Sequence, residues 1–425
     1  MTTRLNRESG QAMVLGLLLC GVAVVAMVHY FSLGQVLAER TRQVNALDTA
    51  VYSGAVVQSR GLNLLGLSNR AMVGHHLAMG HLVTLASWAQ LGGYQAQQRL
   101  RGNPPAFLIG MLFGADHGAA YAASSGARGL QHDASQDGRL GRLFMQHESR
   151  VHDTLAAVQT QVVSTFAQTR EAAIRAVLNR YYPDTSYELD ISAQSVNQWL
   201  VRRPAPSLHP FMQQVAAGYG FLQARNHTAR NTWLVSPRCP ASRHQLRRRG
   251  STVLNASGRW ESADTQSFHA LRSNRWIGCY YREYAMGWGW LASRRDSTLN
   301  APYVSDPPDN FSSQDFWRWV AEATNWDIFN GQDNPLANSR AAGARVIWPT
   351  RGYASYFNVR LPITDFGFSV TLQRHGYKAL KYTVASAAES YFERPYKRSD
   401  GRHEIANLFN PYWLARLTNS AGDAE

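Results

Sequence analysis

The chain has 425 residues, of which 45% are hydrophobic, and a formal net charge of +14 at pH 7. This apolar content can bury a large core, so it excludes an intrinsically disordered protein, and the length suggests two or three structural units. The basic charge favours contact with anionic surfaces such as phospholipid head groups, lipopolysaccharide, nucleic acid or acidic glycans, although a solvated basic surface without a partner explains it equally well.

The first element is an uncharged apolar run, residues 12–31, which begins at Ala12, ends at Phe31 and includes Leu17 and Val24. A helix rises about 1.5 Å per residue, so this run makes a helix of roughly 30 Å, the thickness of the hydrocarbon core of a bilayer. It predicts a membrane-spanning helix. A core helix would usually show a polar face, and a cleavable signal has a shorter apolar region.

The basic residues on either side of the run predict its orientation. Arg4 and Arg7 lie within eight residues of it, whereas Arg40 and Arg42 follow only after a neutral spacer. Basic residues close to a span tend to stay in the cytoplasm. We therefore expect residues 1–11 to form a cytoplasmic tail and the bulk of the chain to lie on the other side of the membrane.

Residues 32–182 are predicted to extend the anchor as a helical hairpin stalk. Residues 32–101 contain no proline, and their apolar and small residues recur at helical spacing. A second apolar stripe, residues 140–177, predicts another helix of about 40 residues. The Gly-, Ala-, Ser- and Pro-rich segment 102–138 between them should return the chain, and two long helices joined by a loop most simply pack antiparallel.

Glycines interrupt the first of these two helices, among them Gly61 and Gly66. Each lowers the intrinsic stability of a helix by up to about 1 kcal/mol, so the helix must be held by a surface that it approaches closely. We assign Gly61 and Gly66 to packing against other helices. On this interpretation, leucine at both positions should leave a folded protein that loses its partners.

Residues 183–425 are predicted to form a mixed α+β extracytoplasmic domain, because short β-branched and aromatic runs alternate with turn residues. The fold class of the whole chain is therefore α+β. The predicted strands are 266–271, 276–284, 344–348, 356–361 and 366–373. The predicted helices are 210–225, 313–323 and 384–392, and residues 294–312 are predicted to form a surface loop.

Only two cysteines lie outside the anchor, Cys239 and Cys279, and thiols in an oxidising compartment can pair. We predict a disulfide between them, with two buried free thiols as the alternative. A basic run follows Cys239 in what is predicted to be a loop, and it is a candidate contact for an anionic surface. Its arginines are Arg243, Arg247, Arg248 and Arg249.

Histidines and acidic residues give no metal motif. His75, His76 and His81 lack the i, i+4 spacing of a helical metal pair and have no carboxylate or cysteine beside them, so we interpret them as packed histidines. His147-Glu148 lacks a second histidine at i+4, where Val151 stands. We expect neither a metal nor another cofactor.

Enzyme motifs are equally sparse. The sequence of residues 287–292 has the glycine spacing of a dinucleotide-binding loop, but tryptophans flank the glycines where a pyrophosphate needs close approach. Asp400, His403 and Glu404 form a polar cluster that could serve acid–base chemistry, although a charged turn explains it without chemistry. We therefore assign no catalytic residue and expect the protein not to be an enzyme.

The N-terminal segment has a Gly-Gln pair before the apolar helix, and an Asn, an Asp and a Gly-Ala pair after it. These positions are Gly10, Gln11, Asn45, Asp48, Gly54 and Ala55. Over about the first 60 residues the pattern resembles TadG-like proteins of tight-adherence (Tad or Flp) pilus systems. The resemblance implies a single-pass bacterial inner-membrane protein with its bulk in the periplasm. It also implies pilus-assembly or pilin-like partners, and an oligomer or a larger complex.

Two departures limit what the resemblance implies. Many TadG-like proteins carry a domain with an Asp-x-Ser-x-Ser metal site, whereas Asp190 and Ser192 here are followed by Gln194 in place of the third ligand. Leu15 stands where pilin-like precursors have glutamate, which argues against processing after Gly10. The sequence thus predicts a structural protein of a pilus system. A membrane-tethered adhesion or ligand-binding module is the alternative, and an envelope enzyme with an unfamiliar site is the second.

Overall fold

The computed structural model describes residues 9–102, 104–183, 186–192, 196–233, 236–275, 278–293 and 345–419. Its α-helices are α1 (Ser9–Leu100), α2 (Ala106–Phe113), α3 (Ala115–Ala123), α4 (Leu130–Asp133), α5 (Arg139–Ser149), α6 (Ala156–Tyr181), α7 (Val196–Trp199) and α8 (His209–Ala216). Its strands are β1 (Glu188–Ile191), β2 (Leu200–Arg203), β3 (His227–Arg230), β4 (Gln245–Leu254), β5 (Trp260–Asn274), β6 (Gly278–Ala292), β7 (Arg345–Ile347), β8 (Tyr356–Val359), β9 (Asp365–His375), β10 (Lys381–Phe392) and β11 (Trp413–Thr418). A long apolar N-terminal helix thus precedes a mixed helix and sheet region, and the α+β class is confirmed.

Helix α1 runs without a break for 92 residues, which confirms that the apolar segment continues as a long helix. Every side chain of residues 12–31 is exposed. One stretch near the N-terminus has a mean hydropathy of 2.4 with none of its residues buried. By length and composition, α1 therefore contains one helix segment able to cross a membrane.

The chain divides into two compact units. Unit 1 comprises Met1–Asn69, Gln159–Val201 and Phe357–Glu425, and unit 2 comprises Arg70–Val158 and Arg202–Tyr356. This division differs from the predicted one, in which a stalk of residues 32–182 precedes a separate domain of residues 183–425. The hairpin stalk is not confirmed, because α1 contributes an apolar face to the core of each unit instead of standing apart from the sheets.

Unit 1 packs two antiparallel helices on a four-stranded antiparallel sheet of order β1-β9-β10-β11. Small residues of α1 let α6 come close: a Cβ added to Gly54 would lie 2.8 Å from the Ile174 side chain. The core between helices and sheet is apolar and fully buried. It includes Leu47, Val51, Ala55, Ile174, Leu178, Val370, Leu372 and Ala388.

Strand β10 corrects the predicted helix 384–392. Its side chains alternate, with Tyr382 and Val384 buried and Lys381 and Thr383 exposed, which is the period of a strand. The Ala- and Ser-rich sequence is compatible with a helix locally. β10 pairs with β9 from Lys381 to Tyr391 and with β11 from Ala387 to Phe392, and this tertiary pairing outweighs local propensity.

The five predicted strands all overlap observed strands, β5 to β9, and those predictions are confirmed. Of the predicted helix 210–225, only residues 210–216 lie in an α-helix, α8, and a short 3-10 turn, Gly220–Leu222, follows. The predicted helix 313–323 and the predicted loop 294–312 lie outside the described residues.

Unit 2 contains a five-stranded sheet of order β3-β4-β5-β6-β7, antiparallel except for the parallel pair β6–β7. The glycines of the tryptophan-flanked motif lie in β6, against α1. A Cβ on Gly287 would lie 2.8 Å from the backbone nitrogen of Gln95, while Trp288 and Trp290 are buried. These glycines therefore allow a strand to approach a helix closely, which explains their spacing without a nucleotide.

Candidate functional site

The predicted anchor and family-motif residues lie along α1. Ala12, Leu17, Val24 and Phe31 are exposed, as a lipid-facing segment requires. Of the motif residues, Gly10 and Gln11 lie in the first turn of the helix. Asn45 is exposed and Asp48 is half-buried, whereas Gly54 and Ala55 lie in the core of unit 1.

The two glycines assigned to packing against other helices face neighbours within unit 1. A Cβ on Gly61 would lie 3.1 Å from the Phe166 ring, and one on Gly66 would lie 3.4 Å from the backbone oxygen of Asn410. Gly61 therefore packs on a helix, as predicted, but on a helix of the same chain. Leucine at these positions would therefore disturb the fold itself. This corrects the expectation of a folded variant that only loses its partners.

Cys239 and Cys279 form a disulfide in unit 2, with their Cα atoms 5.8 Å apart. It joins the segment before β4 to the beginning of β6. Cys20 is a free, exposed cysteine in the apolar run of α1.

The basic run lies mostly in strand β4 rather than in a loop, which corrects its predicted location. The guanidinium group of Arg248 lies 4.9 Å from the Trp88 ring. Arg249 donates to the His227 backbone oxygen at 2.8 Å, Arg247 donates to the Gln245 side chain at 2.7 Å, and Arg243 donates to the Pro240 backbone oxygen at 2.7 Å. These arginines are therefore bonded within unit 2, and an anionic partner would have to share them with those contacts.

Asp400, His403 and Glu404 do not form an enclosed site. Asp400 is exposed and accepts two bonds from Arg398, at 2.9 and 2.7 Å, and this pairing lowers the pKa of Asp400 to about 2. Glu404 instead accepts from Arg394 at 2.9 Å, and the His403 side chain is exposed. The charged-turn interpretation accounts for these contacts.

In unit 2 the fold brings together histidines that lie far apart in the sequence. His75 of α1 and His147 of α5 place their Nδ1 atoms 2.7 Å apart, so one ring donates to the other. Burial lowers the pKa of both histidines, and the charge of Arg150 acts in the same direction. The lowered pKa values favour the neutral form of each ring, in which one nitrogen donates and the other accepts.

His76, the next residue of α1, is fully buried. Its ring meets Tyr353 edge to face, with centroids 5.0 Å apart, and neither ring nitrogen has a hydrogen-bond partner among the described residues. Burial, together with the nearby His152 and His75, lowers the pKa of His76 to about 3. His76 is thus a neutral core histidine.

Glu148 lies at the end of α5, just before the π-helical turn Arg150–Leu155, and His152 lies within that turn, a backbone feature that often occurs at functional sites. The buried Glu148 carboxylate accepts from the Thr350 hydroxyl and, at 3.2 Å, from the Arg351 backbone nitrogen. His152 lies 3.7 Å from Glu148 and 2.9 Å from the Gly352 backbone oxygen. A carboxylate that orients an imidazole is the geometry of a general base. Here, however, both groups bind residues 350–352, and they tie α5 and the turn after it to that segment.

A second buried polar network surrounds Asp264, which is fully buried. Arg225 donates to both of its oxygens, at 2.8 and 2.9 Å, and Ser87 donates at 2.7 Å. Burial raises the pKa of this carboxyl group, while Arg225 and Ser87 lower it. The network joins α1 to the sheet of unit 2 and leaves the carboxylate no oxygen without a partner.

Within the described part of the chain, no group of three or more His, Cys, Asp or Glu side chains is arranged to hold a metal ion. The sequence carried only a weak signal for the contacts of Glu148. Glu148 and His152 have helical spacing, but Thr350 and Arg351, which donate to Glu148, lie about 200 residues further on.

Comparison of the chain with models of protein families, with curated proteins and with solved structures finds no match in any of the three.

Proposed function

We propose that the protein is a single-pass inner-membrane protein of the bacterial envelope, with its bulk in the periplasm. It contributes as a structural component to the assembly or anchoring of a Tad/Flp-type pilus, as the N-terminal resemblance implies. The observation that supports this most directly is the continuity of α1, which passes from an exposed apolar run into the buried core of unit 1 without a helix break.

Contacts beside the helix stiffen this connection. Glu39, eight residues after the apolar run, forms an ion pair with Arg374 at the end of β9. The Lys378 ammonium group lies 3.3 Å from the Ser32 hydroxyl. A flexible, Gly- or Ser-rich linker would leave the domain free to reorient relative to the membrane. A continuous helix that is also bonded to Arg374 and Lys378 instead transmits force and holds a fixed orientation, as a component of an assembly machine requires.

The polar clusters also favour a structural role over an enzymatic one. Glu148 and Asp264 are buried, and their carboxylate oxygens are bound by groups of the protein itself. A catalytic carboxylate needs an oxygen that can reach a substrate.

A deletion strain tests the proposed function. Cells that lack the protein should still make pilin but should lose surface pili, as seen by electron microscopy. Normal pili with loss of surface attachment alone would favour the adhesion module, and normal pili with normal attachment would refute both.

The rigid connection has its own test in Ala38, an exposed residue between the apolar run and Glu39. Ala38→Pro removes a helical hydrogen bond and kinks the helix at a cost of about 3 kcal/mol or more. We expect this variant to insert and to be present at normal levels but not to support pili, whereas Ala38→Ser should behave as wild type. Full piliation with Ala38→Pro would contradict a role for helix continuity.

A further inference from the structure

The β9–β10 hairpin of unit 1 runs along α1 towards the end of the apolar run. At the far end of the hairpin, the Ser59 hydroxyl donates to the Ser390 hydroxyl at 2.8 Å. At the tip, the Lys378 ammonium group lies 3.3 Å from the Ser32 hydroxyl. From its open end to its tip, the hairpin therefore runs along α1 in the direction of residue 31.

The two elements cover similar distances between these contacts. Ser32 and Ser59 are 27 residues apart in α1, which is about 40 Å at 1.5 Å per residue. Lys381, the first residue of β10, and Ser390 are nine residues apart, which is about 30 Å at 3.3 Å per residue of strand, and the turn Tyr377–Ala379 lies beyond Lys381. The hairpin is therefore nearly parallel to α1, and its tip lies level with the first residue after the apolar run.

The tip has the composition of a membrane interface. Lys378 and Lys381 are exposed, Leu380 is 49% exposed, and the Lys378 ammonium group lies 5.3 Å from the Tyr377 ring. Lysine and tyrosine are the residues that anchor proteins at the head-group level. Glu39, the nearest acidic residue of α1, is bonded to Arg374, so it does not offset these lysines.

The backbone of the tip is also unusual. Lys378 and Ala379 have φ of 56° and 59°, a left-handed conformation normally occupied by glycine or asparagine. Two successive left-handed residues that carry a Cβ have an energetic cost. Such a cost is characteristic of a site under functional constraint.

We propose that residues 376–381 bind anionic phospholipid head groups of the bilayer that α1 crosses. Lys378 and Lys381 contact the lipid phosphates, while Tyr377 and Leu380 reach the boundary of the acyl chains. This inference rests on the membrane anchor of the proposed function. Glu188, 3.6 Å from the Lys381 ammonium group, is the one described acidic side chain paired with these two lysines, and it leaves Lys378 as the principal lipid contact.

Fluorescence quenching in vesicles tests the proposal on the full-length protein. Cys20 is the single free thiol, so Cys20→Ser gives a background for one bimane label at a time. The test site is Leu380→Cys. The control is Leu414→Cys, which is 46% exposed and lies near Ser59, some 40 Å along the helix from Ser32. The vesicles contain phosphatidylcholine alone, or an equal mixture with phosphatidylglycerol, and a lipid with a quencher near its head group.

We expect strong quenching of the label at residue 380, more in the phosphatidylglycerol mixture than in phosphatidylcholine, and none at residue 414. Lys378→Gln with Lys381→Gln should remove the increase due to phosphatidylglycerol. An unquenched label at residue 380, or equal quenching in both lipids, overturns the inference. A label on the native Cys20 with an acyl-chain quencher separates the two proposals: if it is quenched while residue 380 is not, the anchor stands and the lipid site falls. If Cys20 is not quenched either, the anchor fails as well.

Discussion

Two glycines six residues apart in α1, Gly74 and Gly80, should respond in opposite ways to the same substitution. A Cβ on Gly80 would lie 2.8 Å from the buried Trp260 ring, closer than real Cβ contacts, whereas nothing lies within 4 Å of a Cβ on Gly74. Trp260 is itself confined, since its ring packs on Phe221 with centroids 5.9 Å apart. Both positions belong to unit 2.

The magnitudes follow from two opposing effects. Alanine improves helix propensity at either site by about 0.8–1.0 kcal/mol. At Gly80 the forced shift of a packed ring costs about 1–3 kcal/mol. We therefore expect Gly74→Ala to stabilise the protein by up to about 1 kcal/mol, and Gly80→Ala to destabilise it by up to about 2 kcal/mol.

Urea unfolding of the full-length protein in detergent, followed by tryptophan fluorescence, measures both changes as shifts of the midpoint at constant slope. The double variant Gly80→Ala with Trp260→Leu should be less destabilised than the sum of its single changes, because the clash disappears with the ring. A Gly80→Ala protein as stable as wild type would refute the packing argument. Destabilisation by Gly74→Ala would show that another surface covers this position.

Three further predictions concern pH, the hairpin tip and the disulfide. Because the pKa of His76 falls from 6.5 in the unfolded chain to about 3 in the folded one, its contribution to stability is complete above pH 6.5 and is lost as the pH falls towards 3. Between about pH 7 and about pH 5 the loss should be about 2 kcal/mol. It should be smaller in His76→Leu, and an equal loss in the wild type and in His76→Leu would contradict the assignment. Ala379→Gly should stabilise the protein by about 1 kcal/mol in urea unfolding, because glycine adopts the left-handed conformation without strain, and a loss of stability would argue against that turn. Cys279→Ser should cost about 4 kcal/mol of unfolding free energy, because the bridge spans 40 residues. Labelling of the unfolded, unreduced wild type should modify Cys20 alone, whereas modification of all three cysteines would exclude the bridge.

The sequence by itself determined the features that depend on near neighbours. The apolar run 12–31 and the helix that follows it are visible in composition and spacing, because each helical hydrogen bond joins residues four apart. The strands β5 to β9 were also predictable, since their alternation and turn residues are local signals. Gly61 showed that α1 approaches a surface closely, but not which surface.

Only the tertiary structure decided which distant segments meet. The segment of β10 has a sequence that suits a helix or a strand, and its two neighbouring strands select the strand. His75 meets His147 across 72 residues, and Glu148 meets Thr350 across 202. Likewise, the position of Lys378 beside Ser32 depends on the register of the β9–β10 hairpin against α1. Such contacts depend on the packing of the core and on the pairing of strands along the whole chain, so no local pattern of residue types specifies them.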